Sequence, residues 1–481
     1  MTLPWPDASA LAAAIASRAT GCVEALQCCL ERVDRFNPVL NAIVIDDRER
    51  ALARAAAADA ALARGEVWGP LHGVPMTVKE SYRVAGLPTS WGNPALKDNV
   101  AAEDAVLVER LKAAGAVIFG KTNVPLNLGD FQSYNAIHGT TSNPWNPALV
   151  PGGSSGGGAA ALAAGMSLLE AGSDIGGSLR NPAHYCGIYA HKPSHGLVPP
   201  RGHSPLGSLA GPDLAVIGPM ARSARDLDLA LSLLAGPDLL EGAGYRLDLP
   251  PPRRAGPAAL RVAVWLDQAL APVDADVRAG LDRVAGALGR AGAVVDWQAR
   301  PALDAEAAHR TYMSLLLAVT TSRTPRSEFE AAKAMLATLD PFDTSEAAME
   351  ARGAALHHRD WLELNEQRQQ ARWAWHRFFQ DWDVVLAPVA CTPAFPHDHR
   401  PTSQRSMVVD GAAVPYWTQL FWAGLATMPY LPATAFPAGL TAAGLPVGVQ
   451  AIGPFLGDRT TIAVAAMAET LLGGFTPPPG Y

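Results

Sequence analysis

Two glycine-rich stretches that carry serine, with one lysine upstream of both, hold the residue types best suited to chemistry in this chain. The first reads Pro151-Gly152-Gly153-Ser154-Ser155-Gly156-Gly157-Gly158 and the second Gly172-Ser173-Asp174-Ile175-Gly176-Gly177-Ser178-Leu179-Arg180. Consecutive glycines ahead of a serine free the backbone to turn several N–H groups toward one point, as stabilising an oxyanion requires. Lys79 closes the run Gly73-Val74-Pro75-Met76-Thr77-Val78-Lys79-Glu80, after residues apolar enough for a buried strand. A lysine on a solvated strand end is an ordinary cation. Full burial lowers its pKa from ~10.4 by up to ~3–5 units, and the neutral amine is then a usable base at pH 7–8.

Two other patterns compete for these segments. Gly115-Ala116-Val117-Ile118-Phe119-Gly120-Lys121-Thr122 fits the phosphate-loop pattern letter for letter. That loop must follow its strand and bare its N–H groups, whereas here the middle residues are themselves the apolar strand, so phosphate binding is rejected. Gly152-Gly153-Ser154-Ser155-Gly156 fits the nucleophile elbow of α/β-hydrolases, which would make Ser154 the nucleophile of an esterase. An elbow needs a strand before it, and residues 143–151 offer three prolines and no apolar run. This alternative also leaves Gly176-Gly177-Ser178 without a purpose. His72, His138, His184, His191, His195 and His203 show no metal-ligand spacing and read as core or pocket-rim residues. Glu80, Asp174 and Arg180 read as hydrogen-bonding supports of the two stretches.

The elements that must position these groups alternate between helix and strand. Apolar residues recur at three- and four-residue steps over 8–34 and 47–64, which predicts helices, with a turn at 36–44 feeding a short strand. Residues 74–78 and 116–119 are predicted strands, with a helix over 104–114 between them. Residues 156–169 form a predicted helix of small side chains that can lie close against other backbone. A helix at 223–235 follows, then strand 260–265, helix 275–290 and strand 293–297. Residues 305–380 read as mostly helical, ending in a long helix over 363–380 before the strand 383–388. The proline-rich segment 427–437 reads as loop and edge, 447–452 as a last strand and 459–472 as a closing helix. This alternation is α/β, and it continues on both sides of the proline-rich 249–257. One domain is therefore expected over 1–481, with its core near 70–220 and a helical, substrate-shaping segment near 300–380.

Composition narrows the field. With 49% hydrophobic and 17% charged residues among 481, a large core is expected and disorder is not. The net charge of −7 comes without a basic stripe, which argues against nucleic acid as a partner. The five cysteines, Cys22, Cys28, Cys29, Cys186 and Cys391, form no C-x-x-C pair, pointing to a reduced, cytoplasmic protein without disulfides. No signal peptide is expected at the N-terminus, and the most apolar run is too short to span a bilayer.

Lys79 with its flanks and the two glycine-rich stretches resemble the amidase signature family, including the 24-residue step from Ser154 to Ser178. The likeness is densest over 70–220, where it takes in Gly120-Lys121-Thr122-Asn123, Ser142-Asn143-Pro144-Trp145-Asn146 and Cys186-Gly187. Fainter similarity runs through 36–44, 384–393 and Pro446-Val447-Gly448-Val449-Gln450. The resemblance implies a single α/β domain, with a mixed, twisted central sheet covered by helices on both faces. It implies hydrolysis of amide C–N bonds by a Ser–Ser–Lys triad, with no metal or organic cofactor. Carried over by position, Ser178 is the nucleophile and Lys79 the base. Ser154, after a cis Gly153–Ser154 peptide, bridges them. The N–H groups of Ile175, Gly176, Gly177 and Ser178 form the oxyanion hole. The substrate is expected to be a small to medium amide, with carbamates also accepted. Its pocket is expected from 126–132, with Gly129, Asp130, Phe131 and Gln132 as binding residues, and from 200–212 and 305–350. Departures from the family pattern include Glu80-Ser81 after the lysine, and Tyr189 and His191 before Lys192-Pro193. Ser208-Leu209-Ala210-Gly211-Pro212-Asp213 stands where tRNA-dependent amidotransferase subunits carry Ser-Leu-Asp-Gln, which argues against that rival role. A monomer or homodimer is implied.

Overall fold

Short apolar runs bounded by glycine and proline line up here as a mixed sheet of 11 strands. The computed structural model describes residues 3–204, 208–340, 343 and 345–481. Across the sheet the strands stand in the order Ile43–Asp46, Val117–Thr122, Pro75–Lys79, Leu169–Asp174, Val216–Ala221, Tyr189–Lys192, Ala433–Leu440, Pro446–Ile452, Val384–Pro388, Arg261–Val264 and Val294–Asp296. Val117–Thr122, Pro75–Lys79 and Leu169–Asp174 run parallel, as do Val384–Pro388, Arg261–Val264 and Val294–Asp296. The links between these two parallel blocks are antiparallel. Pro75–Lys79, Val117–Thr122, Leu169–Asp174 and Val216–Ala221 are buried at every residue. That is the burial of a sheet covered by helices on both faces, and it explains why these strands do not alternate in polarity.

The helix Gly156–Ala163 shows how small residues fix this packing. All eight of its residues are buried. A Cβ on Gly157 would sit 2.4 Å from the Asn123 nitrogen, and one on Gly158 would sit 2.6 Å from the Glu170 side chain. Only glycine lets this helix seat on the strands that carry Lys79 and Glu170.

Four local differences from the sequence expectation have physical causes. The expected helix over 8–34 is two helices, Ala8–Ala16 and Cys22–Leu40, split where Arg18 takes a left-handed φ of 60°. Asp59 caps the second by accepting the N–H groups of Cys22 and Val23, at 2.6 and 3.1 Å. That helix continues through Pro38 to a left-handed Asn41, and the Asn37 side chain accepts the N–H groups of Ala42 and Ile43 as the strand begins. The helix at 156 stops at Ala163, where the Arg32 guanidinium takes the carbonyls of Ala164 and Gly165. Leu169 then opens a strand rather than closing a helix. Finally, 427–437 is not an edge. The strand Ala433–Leu440 stands in mid-sheet, and Pro437 is tolerated because the Tyr189–Lys192 partner ends at Ala435 and a bulge follows at Pro437/Gly439.

Residues 305–380 fold as the helices Ala305–Thr320, Arg326–Leu336, Glu346–Ala354 and His358–Asp381. Among the described residues no helix is long and apolar enough to cross a membrane.

Candidate active site

The strand Pro75–Lys79 delivers its last side chain into the protein interior. Lys79 is fully buried. Its Nζ donates to Ser154 Oγ at 2.7 Å and to Ser173 Oγ at 3.0 Å. Burial pushes the Lys79 pKa down to about 7, against the opposing pull of Asp174 and Glu170. Nearby Glu170 is also fully buried, and burial pushes its carboxyl up to about 8 although hydrogen bonds from Thr77 and Thr122 favour its charged form. The lysine is therefore poised to give up its proton near neutral pH.

Ser154 follows a cis Gly153–Ser154 peptide just before the helix Gly156–Ala163. A Cβ on Gly153 would stand 2.3 Å from the Asp130 carbonyl, so backbone passes backbone closely here. The two serine-bearing stretches are clasped together. Ser155 N–H donates to the Ser178 carbonyl at 3.2 Å, and Gly153 N–H to Asn181 Oδ1 at 3.3 Å. No strand precedes Ser154, so the strand–turn–helix of a nucleophile elbow is not formed. The base bonded to Ser154 is Lys79, while the neighbouring histidine, His203, pairs instead with the Ser81 hydroxyl at 2.9 Å.

Ser178 lies in the turn between the strand Leu169–Asp174 and the helix Arg180–Cys186. Asp174 ties this turn down. Its carboxylate accepts the N–H groups of Gly177 at 3.0 Å and Leu179 at 3.1 Å, and pairs with the Arg180 guanidinium at 2.9 Å. Burial alone would raise the Asp174 pKa, but the Arg180 charge and these hydrogen bonds hold it at about 2. The four expected oxyanion donors differ in their partners. The Gly177 N–H is spent on Asp174, while the N–H groups of Ile175, Gly176 and Ser178 meet no acceptor among the described residues. The hydrogen bonds of the described residues include none between the Ser154 and Ser178 hydroxyls.

Ser178, Ile175 and Gly176 open onto a cavity of about 370 Å3. Leu128 to Phe131, Trp417 and Leu420 form one part of its lining, and Met313, Leu316 and Leu317 of the helix Ala305–Thr320 another. Glu346, Met349 and Glu350 also reach it, which places the expected 305–350 segment at the pocket; Pro341, Phe342 and Thr344 of that segment lie outside the described residues. Of the four expected binding residues, Gly129, Asp130 and Phe131 line this cavity. Gln132 does not. It is fully buried, with its side chain bonded to the backbone N–H and carbonyl of Asp398. Asp130 faces the cavity with its carboxylate already engaged by Arg405 at 2.7 Å and Tyr416 at 2.6 Å. The described part of 200–212 does not line it either. Ser208 and residues 210–212 border a separate cavity of about 480 Å3 with Arg323 and Trp361, and Pro205 to Gly207 lie outside the described residues.

Sequence reasoning missed Ser173 as a second acceptor for Lys79. The signal was present, since Ser173 lies in the same glycine-rich stretch as Ser178. Trp417 and Leu420 were missed for lack of any local signal, because they reach the site through chain folding alone.

The family model that matches this chain is Amidase, over residues 24–462. An indoleacetamide hydrolase of Bradyrhizobium diazoefficiens is 35% identical over 463 residues, covering 95% of this chain and 84% of that protein. A glutamyl-tRNA(Gln) amidotransferase subunit of Anaeromyxobacter sp. is 31% identical over 497 residues, covering 97% of this chain and 96% of the relative. Among solved structures, a crystallised amidase superposes with a TM-score of 0.79 at 28% identity, covering 97% of this chain and 100% of the other.

Proposed function

The chain belongs to the amidase signature family and is an amide-hydrolysing enzyme, and from that premise we propose that it acts alone on small to medium amides through an acyl-enzyme on Ser178. The observation that carries this reading is the 2.7 Å hydrogen bond between a fully buried Lys79 and Ser154, beside the turn that holds Ser178. Neutral Lys79 accepts a proton from Ser154, which accepts one from Ser178. Ser178 Oγ attacks the carbonyl carbon, and the negative charge settles on oxygen before the N–H groups of Ile175, Gly176 and Ser178. An amine leaves poorly unless protonated, so the relay runs backward through Ser154 to hand its proton to the departing nitrogen. Water then enters by the same relay, regenerating Ser178 and releasing the acid. Ser173 holds the Lys79 amine in line with Ser154.

The apolar lining by Phe131, Met313, Leu316 and Trp417 suits an amide whose acyl or amine arm is aromatic or aliphatic. The similarity to an indoleacetamide hydrolase favours arylacetamides first. A carbamate presents the same carbonyl to the same donors and belongs on the substrate list. We read the whole chain as one catalytic domain, since strands from residue 43 to residue 452 share one sheet. The likeness to amidotransferase subunits keeps a partner-dependent role as the rival.

The test is a panel of indole-3-acetamide, phenylacetamide, anilides, aliphatic amides and aryl carbamates, offered to the purified chain without partners. Turnover of at least one, lost in Ser178→Ala, is the expected result. Turnover that survives Ser178→Ala overturns the proposed nucleophile, and a chain inert on every amide until partner proteins are added overturns the stand-alone role.

A further inference from the structure

The turn that carries Ser178 is gripped from two sides, and only one grip comes from its own strand. On the inner side Asp174 accepts the Gly177 N–H. On the other side the Tyr312 hydroxyl donates to the Ile175 carbonyl at 2.9 Å. Tyr312 comes from the helix Ala305–Thr320, far away in sequence, and is completely buried. Its ring is seated by a missing side chain. A Cβ on Gly424 of the helix Leu420–Thr427 would stand 2.6 Å from Tyr312 Cδ1 and 2.9 Å from Cε1. The ring therefore has a fitted slot, and its hydroxyl reaches one backbone oxygen.

That oxygen belongs to a peptide whose other end matters. In a trans peptide the C=O and the following N–H point in opposite directions within one plane. The Ile175–Gly176 bond is trans, the cis bond among the described residues being Gly153–Ser154. Holding the Ile175 carbonyl toward Tyr312 aims the Gly176 N–H the opposite way, and Gly176 lines the cavity beside Ser178. Glycine at 176 leaves this peptide free to rotate unless something outside the turn restrains it. Resting on the acyl-enzyme reading above, we propose that Tyr312 is a positioning residue that locks the Ile175–Gly176 peptide, so that Gly176 N–H faces the developing oxyanion. Burial raises the Tyr312 pKa far above the working range of an enzyme, so the phenol remains a hydrogen-bond donor throughout.

The arrangement also links substrate occupancy to the turn. Met313, Leu316 and Leu317 of the same helix line the substrate cavity, so the helix touched by the bound arm also holds the oxyanion donor in place.

The decisive variant is Tyr312→Phe, which keeps the ring in its slot and removes only the hydroxyl. Loss of a direct oxyanion donor costs about 10²–10³-fold in kcat, so loss of its restraint is expected to lower kcat about 10- to 100-fold. KM for the best amide of the panel should stay within about twofold, because ground-state contacts are untouched. The affinity for a trifluoromethyl ketone built on the same acyl group should fall by the same factor as kcat/KM, since its hemiketal oxygen occupies the oxyanion position. A merely structural tyrosine would move neither quantity in parallel. Retained kcat, a loss confined to KM, or a kcat loss without the matching inhibitor loss each overturns the proposal. Ser178→Ala run alongside separates the two readings: if it is inactive while Tyr312→Phe is normal, only the role of Tyr312 fails. If Tyr312→Phe does not fold, Gly424→Ala, which crowds the ring from behind, is measured in its place against the same two readouts.

Discussion

Activity should switch on as pH rises through neutrality, because the base must be uncharged. Lys79 sits at about 7, pushed down by burial from an ordinary value of 10.5. At pH 7 an ordinary lysine is neutral in roughly one molecule in 3,000, whereas one titrating at 7 is neutral in about half, so burial enriches the working form about 10³-fold. The assay is kcat/KM for the best amide from pH 5.5 to 9. The logarithm should climb with a slope near one below the inflection and level off about a unit above it. Glu170, pushed up to about 8, Asp174, held at about 2, and His203, pushed down to about 3, surround this amine. Glu170→Gln tells Lys79 and Glu170 apart as the titrating group. Removing a carboxylate that favours the charged amine shifts the inflection to lower pH if Lys79 is the titrating group. A profile flat from pH 5.5 to 9, or one whose inflection vanishes in Glu170→Gln, refutes the reasoning. The same shift has a stability signature. The folded pKa lies below the unfolded one, so between about 7 and 10.5 the unfolded chain binds the extra proton and stability from this site rises with pH. Below about 7 the cost of the buried cation is fully present, roughly 5 kcal/mol from the full shift. Lys79→Met should therefore gain most in melting temperature over the parent at pH 6 and least at pH 9.

Two further outcomes follow from packing and charge. Asp174→Asn leaves the buried Arg180 cation without its partner, and should cost about 3–5 kcal/mol in urea unfolding along with much of kcat; a change under 1 kcal/mol would show that the pair does not anchor the turn. Gly157→Ala puts a Cβ 2.4 Å from the Asn123 nitrogen, so an overpacking loss of about 1–3 kcal/mol is expected, and a neutral substitution would mean that the helix can lift off the sheet.

The groups proposed to react were legible because their chemistry is local. Glycines beside serines, and a lysine after an apolar run, announce what they do at short range. Much of the sheet centre was not legible. Leu169–Asp174 carries Glu170, Gly172, Ser173 and Asp174, so nothing in its composition looks like a buried strand, yet every residue is buried because each polar group serves the site or the sheet. Ala433–Leu440 was hidden by its proline, which is harmless only because the neighbouring strand stops two residues earlier. The partner of the Gly177 N–H was hidden for a similar reason. Sequence shows that an N–H can be exposed, but only the fold shows that Asp174 has already taken it. Gln132 lies off the cavity because its side chain is tied to Asp398, more than 250 residues away, which no local pattern shows.

The proposed mechanism requires that the hydroxyl reached through Ser154 belong to Ser178. Mapping a fluorophosphonate adduct by peptide mass spectrometry tests it directly. One adduct is expected, on Ser178, formed much more slowly in Lys79→Ala. An adduct on Ser154, or labelling of Ser178 at an unchanged rate without Lys79, would contradict it.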